Sequence, residues 1–208
     1  METLECIRTR RSIRRFRAEP VEQEKLGNIL DAGRLAPSAG NLQAWKFVII
    51  TSESVKKKLA DACMQQFWVE TAPVVVVICS ERAKFERMYE ERGQVVYSVQ
   101  SCTCAAMNML LAAHDQGLGA CYVGAFEEAA VKRLLAIPDD ATPEAIIPIG
   151  YPDEVPEPVS RYFVDNISFI ESWGNRIRDW EEWLGYHSHK YKPAFEAVKK
   201  AIKKRFSK

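Results

Sequence analysis

The usual signatures of chemistry are mostly missing from this chain. Its three histidines (His114, His187, His189) are too few and too scattered for a Ser-His-Asp or Cys-His arrangement, and no catalytic side chain is assigned. Its six cysteines contain no C-x-x-C pair and sit mostly inside apolar runs. That pattern suits buried thiols in a reducing cytoplasm, rather than a disulfide frame or a metal site. Cys102 and Cys104, two apart, would face different ways on a helix. No G-x-G-x-x-G opens a helix after a strand, and no G-x-x-x-x-G-K-[ST] occurs. A bound phosphate would therefore be held by side chains rather than by a glycine loop. No apolar run approaches the roughly 20 residues that cross a bilayer. The opening Met-Glu-Thr-Leu-Glu-Cys has neither the basic flank nor the apolar stretch of a signal peptide. A net charge of +1 excludes a global field for polyanions. The charge is unevenly spread: residues 190–208 carry eight Lys/Arg against Glu196 alone, and the rest of the chain is net acidic.

What is present is concentrated. Arg8, Arg10, Arg11, Arg14, Arg15 and Arg17 fall within ten positions, with Ser12 among them. Guanidinium offers a planar fork of donors matched to phosphate oxygens, and it stays charged at any working pH. Alone, the cluster serves equally as a phosphate site, a solvated basic patch or an RNA-facing arm.

At 208 residues and 47% hydrophobic, the chain has room for one sizeable core plus an extension. Leu4 and Ile7 share a face of a short helix over Thr3–Thr9. A second helix runs from about Glu22 to Ala36, where Pro37 stops it. Strands follow at Lys46–Thr51 and Pro73–Ser80, with a helix over Glu53–Gln65 between them. A long, nearly uncharged helix spans about Gln94–Gln116, which marks it as a core helix, and Gly117-Leu118-Gly119 ends it. Ala120–Phe126 is short and apolar, and Glu127–Leu135 is helical. Ala145–Gly150 is a third strand whose Pro148 points to an edge position or a local irregularity. Pro193–Phe206 reads as a basic terminal helix. Strands alternating with helices give an α/β or α+β class.

Four features in this order resemble the FMN-dependent nitroreductase superfamily. They are Arg10-Arg11-Ser12-x-Arg14; Pro37-Ser38-Ala39-Gly40-Asn41-x-Gln43-x-Trp45; Gly117-Leu118-Gly119-x-Cys121-x-x-Gly124; and Ile149-Gly150-Tyr151-Pro152 ahead of Arg161. The resemblance covers roughly residues 3–165. It implies an α+β fold of the three-layer α/β type: a mostly antiparallel sheet flanked by helices, with the long buried helix at a dimer interface. Residues 1–165 would be the FMN-binding domain and 166–208 an extension on the partner subunit. It further implies a homodimer with two FMN molecules at the interface, and NADH or NADPH as co-substrate. Arg10, Ser12 and Arg14 would approach the ribityl chain and phosphate, with Arg11 alongside and Arg161 returning to the same phosphate. Pro37, Ser38 and Asn41 would reach the flavin held mainly by the partner, with Ala39 and Gln43 nearby. Val123, Gly124 and Ala125 would lie beside the isoalloxazine. Ala39 stands where a second serine is common in that family, and Ala44 where proline is frequent.

The expected activity is reduction of a small electron-poor acceptor, a nitroaromatic or a quinone, in the cytoplasm and without nucleic acid or membrane. Two other readings of the sequence stand beside it. One is a flavin-binding sensor or store without turnover. The other is a nucleic-acid or membrane-surface module using the basic tail, where Val198, Ala201, Ile202 and Phe206 alternate with lysines.

Overall fold

In the computed structural model residues 1–176 are described, and they fall into two compact units divided after Pro158. The basic helix expected over Pro193–Phe206, with Trp180, Trp183, His187 and His189, lies outside the described residues. In the second unit a short helix, Val164–Ile167, precedes a turn in which the Phe169 and Trp173 rings lie 5.1 Å apart.

The first unit is built on an antiparallel sheet of order β1-β2-β4-β3, with β1 Trp45–Ile50, β2 Val74–Glu81, β3 Gly119–Ala120 and β4 Ala141–Gly150. The unbroken valines of β2 have a simple cause, since both of its faces are covered. Val74, Val76 and Ile78 pack with α2 (Gln23–Arg34) and α5 (Ser98–Asp115) through Ile29, Cys102, Ala106 and Met109. Val75, Val77 and Cys79 pack with α3 (Glu53–Ala62) and α6 (Glu128–Leu135) through Leu59 and Val131. Each such side chain, fully withdrawn from water, contributes roughly 1.5–3 kcal/mol before entropy is set against it. This is the three-layer α+β arrangement that the resemblance implied.

Of the two settings expected for Pro148, the structure shows the local irregularity: its strand is internal rather than an edge. It tolerates proline because the flanking strand is interrupted there. Cys121 donates its N–H to the Pro148 carbonyl, beyond the end of β3, and regular pairing resumes only at Val123–Ile146. The missing donor thus falls where the ladder is already broken. The strand also begins earlier than expected, at Ala141, because a bulge accommodates Glu144 opposite the Ile78–Cys79 step. The Glu144 carboxylate accepts from the Ser80 hydroxyl (2.6 Å) and from Arg82 Nε (3.2 Å). The short helix α1 forms over Thr3–Thr9 as expected; Leu4 and Ile7 are exposed, and Cys6 is its buried residue.

Helix α5 buries Ser101, Cys102, Ala105, Ala106, Met109, Leu110 and Ala113. Thr103 and Met107 on the opposite side remain exposed. The helical run 82–115 is long and apolar enough by composition to cross a bilayer; Cys102, Ala105, Ala106, Met109, Leu110 and Ala113 within it belong to the core formed with the sheet and α2. It ends in a Schellman motif. Gly117 has φ +76°, its N–H reaches the His114 carbonyl (3.0 Å), and the Leu118 N–H reaches that of Ala113 (2.9 Å). This tight stop sends the chain directly into β3.

A helix with no apolar stripe in its sequence, α4 (Arg82–Arg92), breaks at Glu90 (φ 54°, ψ −149°), and the π turn that follows at Gly93–Tyr97 folds back against it. A side chain at Gly93 would lie 2.3 Å from the Phe85 carbonyl oxygen, so the hairpin closes only around glycine. Gly93→Ala is expected to cost about 1–3 kcal/mol in denaturant unfolding, a typical overpacking cost; an unchanged midpoint would show that α4 is free to move.

Candidate functional site

The arginine segment is placed by backbone pairing. Helix α1 ends at Thr9, and the Arg11 guanidinium turns back to donate to the carbonyls of Arg8 (2.9 Å), Thr9 (3.2 Å) and Arg10 (3.0 Å). That is a favourable seat for a cation at a helix C-terminus. Residues 12–17 then run extended beside the sheet. Ser12 bridges Ala120 in parallel, the Ile13 N–H donates to the Ala120 carbonyl (3.1 Å), and the Arg17 N–H donates to that of Tyr151 (2.9 Å). Ile13 and Phe16 are buried while Arg14, Arg15 and Arg17 stay outside. Close approach requires Gly119, where any Cβ would meet three carbon atoms of Ile13 at 2.7–2.9 Å.

This pairing gathers Arg10, Ser12 and Arg14 around Cys121. Burial pushes the Cys121 thiol up, and Arg14, the Ser12 hydroxyl and Arg10 act against that rise. Arg10 Nε is buried without a hydrogen-bond partner. A buried guanidinium nitrogen left unpaired is costly and calls for an acceptor from outside the fold. Arg14 lies 5.7 Å over the Trp68 indole, a cation–π contact that orients it without neutralising it. Arg15 is committed elsewhere, donating to the Asp153 carbonyl (3.1 Å).

Three residues beyond Ala120, Val123 exchanges backbone hydrogen bonds with Ile146 (2.9 and 3.0 Å). Gly124 and Ala125 are exposed, and Gln66 Nε2 holds the Ala125 carbonyl at 3.1 Å. The structure thus brings the first and third motifs together at one end of the sheet.

The Pro37–Gln43 loop lies elsewhere. It carries three left-handed residues, Gly40 (φ 57°), Asn41 (φ 54°) and Gln43 (φ 48°). Ser38 Oγ fixes it by accepting the Gln43 N–H (3.0 Å), and Ser101 Oγ does so by accepting the Ala39 N–H (3.3 Å). Pro37 is exposed, and Gly40 sits against Met88 and Tyr89 of α4. Trp45, just beyond, is buried core. Helix α1, which leads into the arginine segment, reaches α5 near its other end, where Cys6 Sγ donates to the Leu111 carbonyl and Thr9 Oγ1 meets His114 Nε2 at 2.8 Å. Positions 101 and 111–114 are separated along the helix by roughly 15–20 Å. Arg161 lies on an exposed stretch of the second unit. Trp68, Ser101, Cys121 and Glu154 were not among the expected site residues. Cys121 stands inside the third motif, whereas Trp68, Ser101 and Glu154 lie far in sequence from the motifs they serve, so no local pattern marks those three.

Residues 7–151 match the family model described as the Nitroreductase family. The chain belongs to the nitroreductase family. A provisionally named NADH dehydrogenase/NAD(P)H nitroreductase of Methanothermobacter thermautotrophicus is 33% identical over 177 residues, covering 83% of this chain and 88% of its own. The NADPH-flavin oxidoreductase of Vibrio harveyi is 31% identical over 169 residues, 74% of this chain and 68% of its own. The structure of the Vibrio harveyi NADPH:FMN oxidoreductase with NAD+ superposes with a TM-score of 0.77 at 26% identity, covering 96% of this chain and 91% of that one. The nitroreductase fold expected from the sequence is therefore the one observed.

The electrostatics of this family member bear on both its acid stability and its thiol reactivity. Burial, then Arg10 and Arg11, hold the His114 imidazole below its ordinary value. A base depressed in the fold contributes stability that is full above the unfolded value of about 6.5 and is lost as the pH falls below it. Urea midpoints should therefore drop more between pH 7.5 and 5.5 for the wild type than for His114→Gln; parallel drops would exclude His114 as the cause. Burial also pushes the Cys63 and Cys79 thiols up to about 11. At pH 8 both should resist iodoacetamide in the native protein and react on denaturation, as read by peptide mass mapping.

Proposed function

We propose that this chain is an FMN-dependent oxidoreductase that uses NADH or NADPH to reduce small electron-poor acceptors such as nitroaromatics or quinones. The observation that carries the reading is the buried, unpartnered Arg10 Nε beside Ser12 and Arg14, backed by a cluster with no acidic side chain ion-paired to Arg10 or Arg14 among the described residues. These are the groups that fit a phosphate dianion. Arg10, Ser12 and Arg14 would hold the phosphate and ribityl chain, with Arg161 joining them. Val123, Gly124 and Ala125 would flank the ring, where a bare glycine permits close approach. Arg11, already seated on the α1 carbonyls, serves chiefly to fix the segment. When bound, FMN would supply the hydride-transfer chemistry between NADH or NADPH and the acceptor. The protein's part is to bind, orient and exclude water.

The reading includes a homodimer with FMN at the interface. Its support is the separation along α5: α1, which leads into the arginine segment, and the Pro37–Gln43 loop engage different parts of one helix, and a second copy would bring Pro37, Ser38, Ala39, Asn41 and Gln43 to the same flavin. The exposed Leu4, Ile7, Leu35 and Met107 offer apolar surface for such a contact. Residues 166–208 are proposed to clasp the partner, and the reducing cytoplasm is the compartment that suits six free cysteines.

Purified protein should be yellow, and its visible flavin bands should bleach when NADH or NADPH is added without oxygen. Bands that persist would point to a flavin store, and a colourless protein unable to take up FMN would defeat the assignment. Ser12→Ala with Arg14→Ala should strip FMN from a folded protein; unchanged flavin occupancy would remove the phosphate role from both. Truncation before Pro193 should shift the dimer toward monomer in light scattering.

A further inference from the structure

The loop after β4 inserts an acid into the arginine segment. Glu154 Oε1 accepts the backbone N–H of Arg14 and also that of Arg15 (3.1 Å). In return the Asp153 N–H donates to the Arg15 carbonyl (2.9 Å), and Arg15 Nη2 donates to the Asp153 carbonyl (3.1 Å). Two residues on each side are thus tied in both directions. Among the described residues no guanidinium pairs with Glu154; both of its bonds are to peptide N–H groups. A half-buried carboxylate among arginines would ordinarily neutralise one of them. Here it is turned onto the main chain, and the Arg14 side chain stays over Trp68 with its charge uncompensated.

We infer that Glu154 is a positioning residue for anion binding: by holding the Arg14 and Arg15 peptide groups it aims the Arg14 guanidinium at the phosphate, an inference that rests on the FMN reading above. Two physical effects oppose each other at this residue. Its negative charge repels a phosphate dianion, so deletion on charge grounds alone would tighten binding. Its acceptor oxygen fixes the backbone that carries Arg14, and bonds to a charged acceptor are among the stronger ones, so deletion on positioning grounds would weaken binding. The inference states that positioning wins. The oxygen is what counts, because an amide oxygen at the same place can accept the same N–H groups.

The test compares FMN with riboflavin, which lacks the phosphate, on the full-length apoprotein by flavin fluorescence quenching. The wild type should prefer FMN by at least about tenfold. Glu154→Ala should weaken FMN about tenfold or more and leave riboflavin unchanged, although a negative charge has been removed. Glu154→Gln should stay within about threefold of the wild type for FMN. If the alanine variant binds FMN as tightly as the wild type or tighter, the inference fails while the flavin reading stands. It fails too if the glutamine variant is as weak as the alanine variant. If the wild type does not distinguish FMN from riboflavin, the phosphate assignment fails, and the inference goes with it. A measurement independent of variant folding is amide hydrogen exchange in the wild type. The Arg14 and Arg15 amides should be protected despite their exposed side chains, and rapid exchange of both would overturn the inference.

Discussion

The Ile13 N–H bonded to the Ala120 carbonyl is the contact on which the candidate site depends. Guanidiniums placed six within ten residues repel one another, and nothing in their own chemistry would gather them at a fixed point. The fold solves this by making the carrier segment part of the sheet's margin. Ile13 and Phe16 are driven inward by their apolar side chains, and the residues between them are thereby turned outward. Gly119 keeps the two backbones close, and the Schellman stop of α5 delivers Gly119 to the right place. The positive charge is then held by hydrophobic burial and peptide hydrogen bonds, with the side chains left for a ligand.

Division of labour among the arginines follows from the same geometry. Arg11 neutralises the carbonyl end of α1, Arg15 ties down the loop at Asp153, Arg14 is held over an indole, and Arg10 has a buried nitrogen with no partner. A cluster that looks uniform in sequence is therefore made of residues with different jobs. The acid at Glu154 shows the principle from the other side: a carboxylate near an anion site is tolerable where its lone pairs are spent on main-chain donors.

Helix α5 acts as the spacer of the molecule. Its packing against both α2 and the sheet makes it rigid, so the elements seated on it keep a fixed separation. The Pro37–Gln43 loop rests near Ser101 and the α1 end near Leu111 and His114. The homodimer proposed above rests on this separation together with the exposed apolar surface, since a second copy could bring both sets of residues to one ligand.

Most of the longer helices and strands were legible in the sequence from local periodicity, and the family, with the three-layer class it implied, from motifs whose residue types are tied to backbone need. Valines in an unbroken run require cover on both faces, and glycine at 117 and 119 marks a helix stop and a close approach. The structure alone decided three further matters. Pro148 sits in an internal strand, because its missing donor meets a gap in the neighbouring strand. The short helix α4 forms without an apolar stripe, since it is held by folding back around Gly93. Glu154, Trp68 and Ser101 join the candidate site through contacts between residues distant in the chain, and one-dimensional spacing carries no trace of such contacts.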